Sequence, residues 1–283
     1  MSNGPAGQVA RSSTVRPKYE TSGASRPAPL RTFLHTADGV RIDALYEPGA
    51  VVYESQSPPS GHPVFVVAHG FTGDVERPHV RRVATAFARY GAVLTFSFRG
   101  HGASGGRSTV GDREVLDLAA AVAWAREQGH ARVVTVGFSM GGSVVLRHAA
   151  LHARQSDAVV SVSAPARWYY RGTAPMRRLH WLVTRPEGRL VGRYGLRTRI
   201  HHRGWDPVPL SPVEAVPRIA PTPLLIVHGD RDGYFPVDHP RMLADAAGGH
   251  GELWLEPGMG HAEHAATDAL LARIGDWAVG AAG

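Results

Sequence analysis

Ser139 is the residue in this 283-residue chain whose setting most directly suggests chemistry. In Val133-Val134-Thr135-Val136-Gly137-Phe138-Ser139-Met140-Gly141-Gly142, a β-branched run ends at a glycine, and Ser143-Val144-Val145-Leu146-Arg147 follows as the start of a helix. G-x-S-x-G between a strand and a helix makes a sharp, strained turn, and the small flanking residues leave room for the hydroxyl to stand out at the end of a sheet. A serine hydroxyl is a poor nucleophile at neutral pH. It needs a base within hydrogen-bond reach, and that base needs a carboxylate to orient it. Two later strand ends supply candidates: His228-Gly229-Asp230-Arg231-Asp232-Gly233 offers Asp230 and Asp232, and Pro257-Gly258-Met259-Gly260-His261 offers His261. His264 competes with His261 but falls where a closing helix is expected to begin, which reads as an exposed helical position. Sixteen histidines raise the question of metal, yet no H-E-x-x-H or comparable grouping occurs, so no metal is expected, and covalent catalysis by a serine needs no organic cofactor.

These tips meet only if the strands are parallel. Pro63-Val64-Phe65-Val66-Val67-Ala68 is continuously apolar, as a strand buried on both faces must be. A helix over Arg81–Tyr90, with Val83, Phe87 and Tyr90 on one face, leads to a strand at Ala92–Ser97, completing a βαβ unit. Helices over Asp112–Gln128, Gly142–Ala153, Pro240–Ala247 and Ala265–Val279 alternate with strands at Arg132–Val136, Ala158–Ser163, Pro223–His228 and Glu252–Leu255, so a doubly wound α/β sheet is expected. Ala37-Asp38-Gly39 between two alternating runs predicts an antiparallel hairpin at the start, which Val51–Tyr53 could extend before a Ser/Pro-rich loop at Ser55–Gly61.

With these motifs in place the chain resembles the α/β-hydrolase-fold serine hydrolases, over roughly Arg31 to Val279. The resemblance implies a mostly parallel sheet with helices on both faces and a short lid insertion. It places the acid, in His-Gly-x-x-Asp, at Asp232 and the base, in Gly-x-Gly-His, at His261. His69-Gly70-Phe71 matches the family's oxyanion stretch, which implies Phe71 and Met140 backbone N–H groups as the oxyanion hole. Arg99-Gly100-His101-Gly102-Ala103-Ser104 matches a family loop. Ser97 departs from relatives that carry an aspartate there, a position outside the triad. The implied activity is cleavage of a carboxylic ester of a small or medium acyl group through an acyl-enzyme. A thioesterase or acyltransferase, a short-peptide aminopeptidase and a non-enzymatic ligand-binding module are the alternatives.

Smaller features take structural readings. His69 and His228, before glycines at strand ends, are expected to hold nearby loops, and Arg99 to pack a loop. The G-x-G at Gly100–Gly102 is a tight crossover and not a dinucleotide cradle.

The formal charge is +7. Residues 165–211 hold ten arginines against Glu187 and Asp206, a local +8, so the rest of the chain sums to about −1. The same segment interleaves Trp168, Tyr169, Tyr170, Trp181, Tyr194 and Trp205 without a clear period, and reads as the lid, with residues 31–164 and 212–283 as the core domain. Trp168, Tyr169 and Trp181 are the expected substrate-binding residues, and His201-His202 surface residues of the lid. A basic lid suits an anionic partner such as an acidic acyl carrier protein or CoA, or a lipid–water interface. Nucleic acid is not expected, since no recognition motif accompanies the charge. Absence of cysteine removes disulfides and thiolate sites. No apolar run reaches eighteen residues, so no membrane span is expected. Residues 1–30 lack a signal peptide's apolar stretch and read as a disordered leader, with a cytoplasmic location by default.

Overall fold

The computed structural model describes residues 28–49 and 61–283. The expected leader, apart from its last residues, the extension at Val51–Tyr53 and nearly all of the Ser/Pro loop lie outside them. Eight strands form one sheet: β1 (Leu30–His35), β2 (Arg41–Glu47), β3 (Val64–Ala68), β4 (Ala92–Phe96), β5 (Val133–Phe138), β6 (Ala158–Val162), β7 (Leu224–Gly229) and β8 (Gly251–Glu256). Their spatial order is β1-β2-β4-β3-β5-β6-β7-β8. The β1–β2 and β2–β4 pairs are antiparallel and the others parallel. The hairpin turns where Asp-Gly predicted, with Gly39 at φ +77° and Thr36 N–H donating to Val40 O at 3.0 Å.

Strand periodicity splits the core into two layers. Val64, Val66 and Ala68 of β3 face one apolar cluster with Leu118 of α2 (Glu114–Glu127), Val144 of α3 (Met140–Leu151) and Leu243 of α7 (Asp238–Ala247). Phe65 and Val67 face the other, with Phe87 of α1 (Pro78–Phe87) and Leu271 and Ile274 of α9 (Asp268–Ala281). The rings of Phe65 and Phe87 stack at 5.0 Å. Helices therefore cover both faces, as the continuous apolar strands require.

Every expected helix is present with its bounds moved by a few residues, and the two largest departures each have a local reason. The first helix begins at Pro78 rather than Arg81, because proline suits the first helical turn, and Tyr90 lies beyond its end with its hydroxyl donating to Ala272 O. The closing helix is split. A short α8 (Ala262–Ala265) ends at Ala266, which has extended backbone, and α9 restarts on the Thr267 cap, whose Oγ1 accepts Leu270 N–H at 3.2 Å.

Between β6 and α6 (Pro212–Ala215) the chain builds two helices, α4 (Ala174–Thr184) and α5 (Pro186–Gly195). The first carries Met176, Leu179 and Val183 at spacings of three and four, which puts them on one face. The second lacks an apolar period because its inward face is glycine: Gly188 and Gly192 are its buried residues, and a Cβ on Gly188 would lie 2.5 Å from Trp181 O. Bridges His101–Thr198 and Ser108–Ile200 stitch this segment to the loop after β4. Arg99 anchors that loop from inside, donating to Asp117 on α2 and to Asp38 in the hairpin turn.

Burial holds three histidines neutral. It pushes His69 down to about 3, His101 to about 4 and His148 to about 3. Unfolding frees each to take up a proton near its ordinary value, so below pH 6.5 the unfolded chain binds more protons than the native one. Stability is expected to fall as pH drops from 6.5 toward 4, by up to about 1.4 kcal/mol per pH unit for each group. Urea unfolding at pH 7.5 and pH 5.0 checks this; equal midpoints would contradict it.

Candidate active site

Close packing of backbone shapes the turn after β5. A Cβ on Gly137 would lie 2.1 Å from Gly141 O, and one on Gly141 would lie 2.1 Å from Ala68 O. Both positions must be glycine, which lets α3 start directly against the end of β3. Ser139 between them sits at φ +52°, ψ −111°, a conformation L-residues rarely adopt. Its backbone is pinned on both sides: Ser139 N–H donates to Val162 O at 2.8 Å, and Ser139 O accepts Ser143 N–H at 3.1 Å.

The ends of β7 and β8 bring up the other two groups. A Cβ on Gly229 would lie 2.1 Å from Met259 O, so glycine is needed for the loop after β7 to nest against the loop after β8. Ser163 Oγ, just past β6, accepts Ala262 N–H at 3.1 Å and fixes the second loop from behind. His261 is thereby placed with Nε2 2.9 Å from Ser139 Oγ and Nδ1 2.7 Å from Asp232 Oδ2. The other carboxylate oxygen of Asp232 accepts Tyr234 N–H at 2.8 Å and Phe235 N–H at 3.1 Å. Burial raises the Asp232 carboxyl, but the His261 contact and the Phe235 N–H outweigh it and hold the group below its ordinary value. Asp232 is thus an acceptor at neutral pH, which assigns the His261 proton to Nδ1 and leaves Nε2 to accept from Ser139 O–H.

Asp230 does something else: its Oδ1 accepts Gly258 N–H at 2.7 Å, pinning the loop after β8. His264 is exposed on α8, its ring tilted against that of His79 with centroids 3.9 Å apart, and not at the head of the closing helix. His228 donates to Phe235 O at 2.9 Å, and His69 bridges Phe98 N–H and Gly70 O, so both histidines hold loops. Ser97 Oγ accepts Val75 N–H at 3.1 Å.

A cavity of about 210 Å³ opens at Ser139. Phe71 and Met140 line it beside Ser139, and Met140 begins α3, where the first N–H groups of a helix have no intrahelical acceptor. Trp168 and Tyr169 form its aromatic wall together with Trp205. Their rings lie 5.0 and 5.5 Å from that of Trp205, and each indole N–H is tied to a backbone carbonyl: Trp168 to Pro209 O, Trp205 to Thr109 O. Trp181 does not belong here. Met176, Leu179, His180 and Val183 form the face of α4 that lines the cavity, and Trp181, off that stripe, is 47 % exposed. Sequence reasoning also missed Tyr234, whose ring stacks on the His261 imidazole at 4.2 Å, and Phe235, edge-on to it at 5.7 Å. An aromatic pair one glycine beyond the candidate acid was the available signal. Among the described residues no cluster of three or more His, Asp or Glu could hold a metal ion, and no helix is long and apolar enough to cross a membrane.

The sequence model of the alpha/beta hydrolase family matches residues 64–273, from the first parallel strand into the closing helix, and the chain belongs to that family. A monoacylglycerol lipase of Mycolicibacterium smegmatis is 28% identical over 259 residues, 79% of this chain and 86% of that protein. Among solved structures, the esterase Pf2001 of Pyrococcus furiosus superposes with a TM-score of 0.68 at 22% identity, over 88% of this chain and 91% of that one. The alpha/beta hydrolase GrgF of Penicillium sp. sh18 gives a TM-score of 0.64 at 18% identity, over 89% and 98%. Est1E of Butyrivibrio proteoclasticus, solved with ferulic acid bound, gives 0.57 at 19%, over 88% and 96%. These structural likenesses extend the fold assignment across nearly the whole chain.

Proposed function

We propose that this protein hydrolyses a carboxylic ester of a small or medium acyl group through an acyl-enzyme on Ser139. The observation that carries the reading is the continuous line from Asp232 Oδ2 through His261 to Ser139 Oγ, at 2.7 and 2.9 Å, at the mouth of an apolar cavity. His261 Nε2 takes the hydroxyl proton as Oγ attacks the carbonyl carbon. Asp232 stabilises the imidazolium that forms, and Phe71 and Met140 N–H groups receive the oxyanion. The proton then passes to the departing alcohol, and water, activated by the same imidazole, releases the acid. Residues 165–211 act as the lid, with Trp168 and Tyr169 against the apolar part of the substrate. The similar lipase and esterases support an ester as the bond cleaved.

A specific observation keeps a thioester in play. Within the lid, Arg167 pairs with Asp238 at 3.0 Å, whereas Arg177 and Arg189 donate to backbone carbonyls and have no ion-pair partner among the described residues. Such a surface suits an anionic carrier, CoA or an acidic acyl carrier protein, as the leaving group. Steady-state kinetics on matched oxygen esters and acyl-CoA thioesters of graded chain length separate the two. The ester reading predicts higher kcat/KM on the oxygen esters, and a thioester preference abolished by neutralising Arg177, Arg178 and Arg197 would replace it.

The wall of the cavity gives a second expectation. Trp168→Ala removes a ring held in place by its Pro209 bond and should raise KM for medium-chain esters about tenfold, the order of one large side chain's burial. Trp181→Ala should leave that KM unchanged, and equal effects from both would contradict the placement of α4.

A further inference from the structure

Glu263 is a buried carboxylate for which the proposed mechanism has no use. It lies on α8 two residues beyond His261 and is 3 % exposed. Arg82 donates to its backbone carbonyl at 2.8 Å and not to its carboxylate, and among the described residues its one ion-pair neighbour is His79, 3.8 Å away. Burial and the adjacent His264 hold His79 below its ordinary value, so it supplies no full positive charge at neutral pH. A buried carboxylate with so little compensation is costly to keep.

What the carboxylate does hold is the oxyanion loop. Glu263 Oε1 accepts Gly70 N–H at 3.0 Å. On the other side of the same residue, Gly70 O accepts from His69 Nδ1–H at 2.6 Å and from Gly73 N–H at 3.0 Å. The His69 proton is on Nδ1 because Nε2 accepts Phe98 N–H at 3.0 Å. Both peptide planes flanking Gly70 are therefore fixed, and planarity turns Phe71 N–H away from the carbonyl that His69 and Gly73 hold. Among the described residues no protein group accepts that Phe71 N–H. Glu263 and Ser139 also crowd one glycine: a Cβ on Gly70 would lie 3.1 Å from Glu263 Oε1 and 3.4 Å from Ser139 Cβ.

We propose that Glu263 is a positioning residue that couples the loop of the base to the loop of the oxyanion hole: by taking Gly70 N–H, it fixes Phe71 N–H at the developing oxyanion. The role rests on the ester-hydrolysis reading above. It explains why a carboxylate with so little compensation persists beside the reacting serine, since a preorganised donor costs no reorganisation as charge develops.

The test compares Glu263→Gln with Glu263→Met, two side chains of similar volume of which only the first can accept Gly70 N–H. Hydrolysis of a p-nitrophenyl ester by Glu263→Met should show kcat lowered about 10- to 100-fold, less than the loss of a whole donor, with KM within about threefold of wild type. Glu263→Gln should retain most of the activity, and rates of Ser139 labelling by a fluorophosphonate should follow the same order. Wild-type kcat in the Met variant overturns the role. So does a Gln variant as impaired as Met, which would assign the effect to charge, or a rise in KM and fall in Tm at unchanged kcat, which would make the contact structural. Wild-type protein inert to both ester and fluorophosphonate removes the hydrolase reading and this role with it, whereas an active wild type beside an unaffected Met variant removes this role alone.

Discussion

Ser139→Ala is expected to abolish the proposed ester hydrolysis, with kcat falling by about 10⁵ to 10⁶ while the protein stays folded. The loss is large because the serine oxygen forms the covalent bond in the proposed reaction and no neighbouring hydroxyl can replace it. Ser143, one turn into α3, donates its hydroxyl to Met140 O at 2.8 Å. Folding is spared because the Ser139 side chain contributes no structural bond beyond the one to His261. The backbone bonds to Val162 and Ser143 survive in alanine, which pays the same cost at φ +52° as serine does. Melting temperature should shift by no more than about 2 °C, the scale of a few tenths of a kcal/mol. Residual hydrolysis above a hundredth of wild type would name another nucleophile.

The second large effect comes from a change of one atom. Asp232→Asn should lower kcat by about 10⁴ with little change in KM. The backbone decides which atom of the new side chain faces the imidazole. One carboxylate oxygen already accepts Tyr234 and Phe235 N–H, so the asparagine oxygen is held in that place and its NH₂ faces His261. His261 Nδ1 must then accept, its proton moves to Nε2, and the atom that should receive the Ser139 proton can no longer do so. Asp230→Asn is the control. Its oxygen can still accept Gly258 N–H, and kcat should stay near wild type. A reversed pair of results would make Asp230 the acid and dissolve the tautomer argument.

Much of this was legible in residue order alone. Continuous apolar strands, an Asp-Gly hairpin and a glycine-bounded serine are local signals with few structural solutions, and they led to the observed sheet and turn. The choice between Asp230 and Asp232 was legible only through family resemblance, because both lie on the same short loop after β7. Their separation depends on Gly229 nesting against Met259, a contact between loops some thirty residues apart. Trp181 was misplaced because the residue types along α4 show which side chains are large, not which way they point. Met176, Leu179, His180 and Val183 form the stripe toward the cavity, and they are less conspicuous in sequence than the tryptophan. Glu263 carried no local signal either. A glutamate in a short helix ordinarily faces water, and only the packing of α8 against the loop after β3 buries it.

The proposed hydrolysis stands or falls with Ser139 as an activated nucleophile. Fluorophosphonates react with serines that have a base and an oxyanion hole in place, so labelling followed by mass spectrometry of the digested protein asks the question at one residue. A single phosphonylated peptide containing Ser139 is expected, absent in Ser139→Ala and strongly reduced in His261→Ala. Folded wild-type protein that remains unlabelled, or is labelled at another serine, would contradict it.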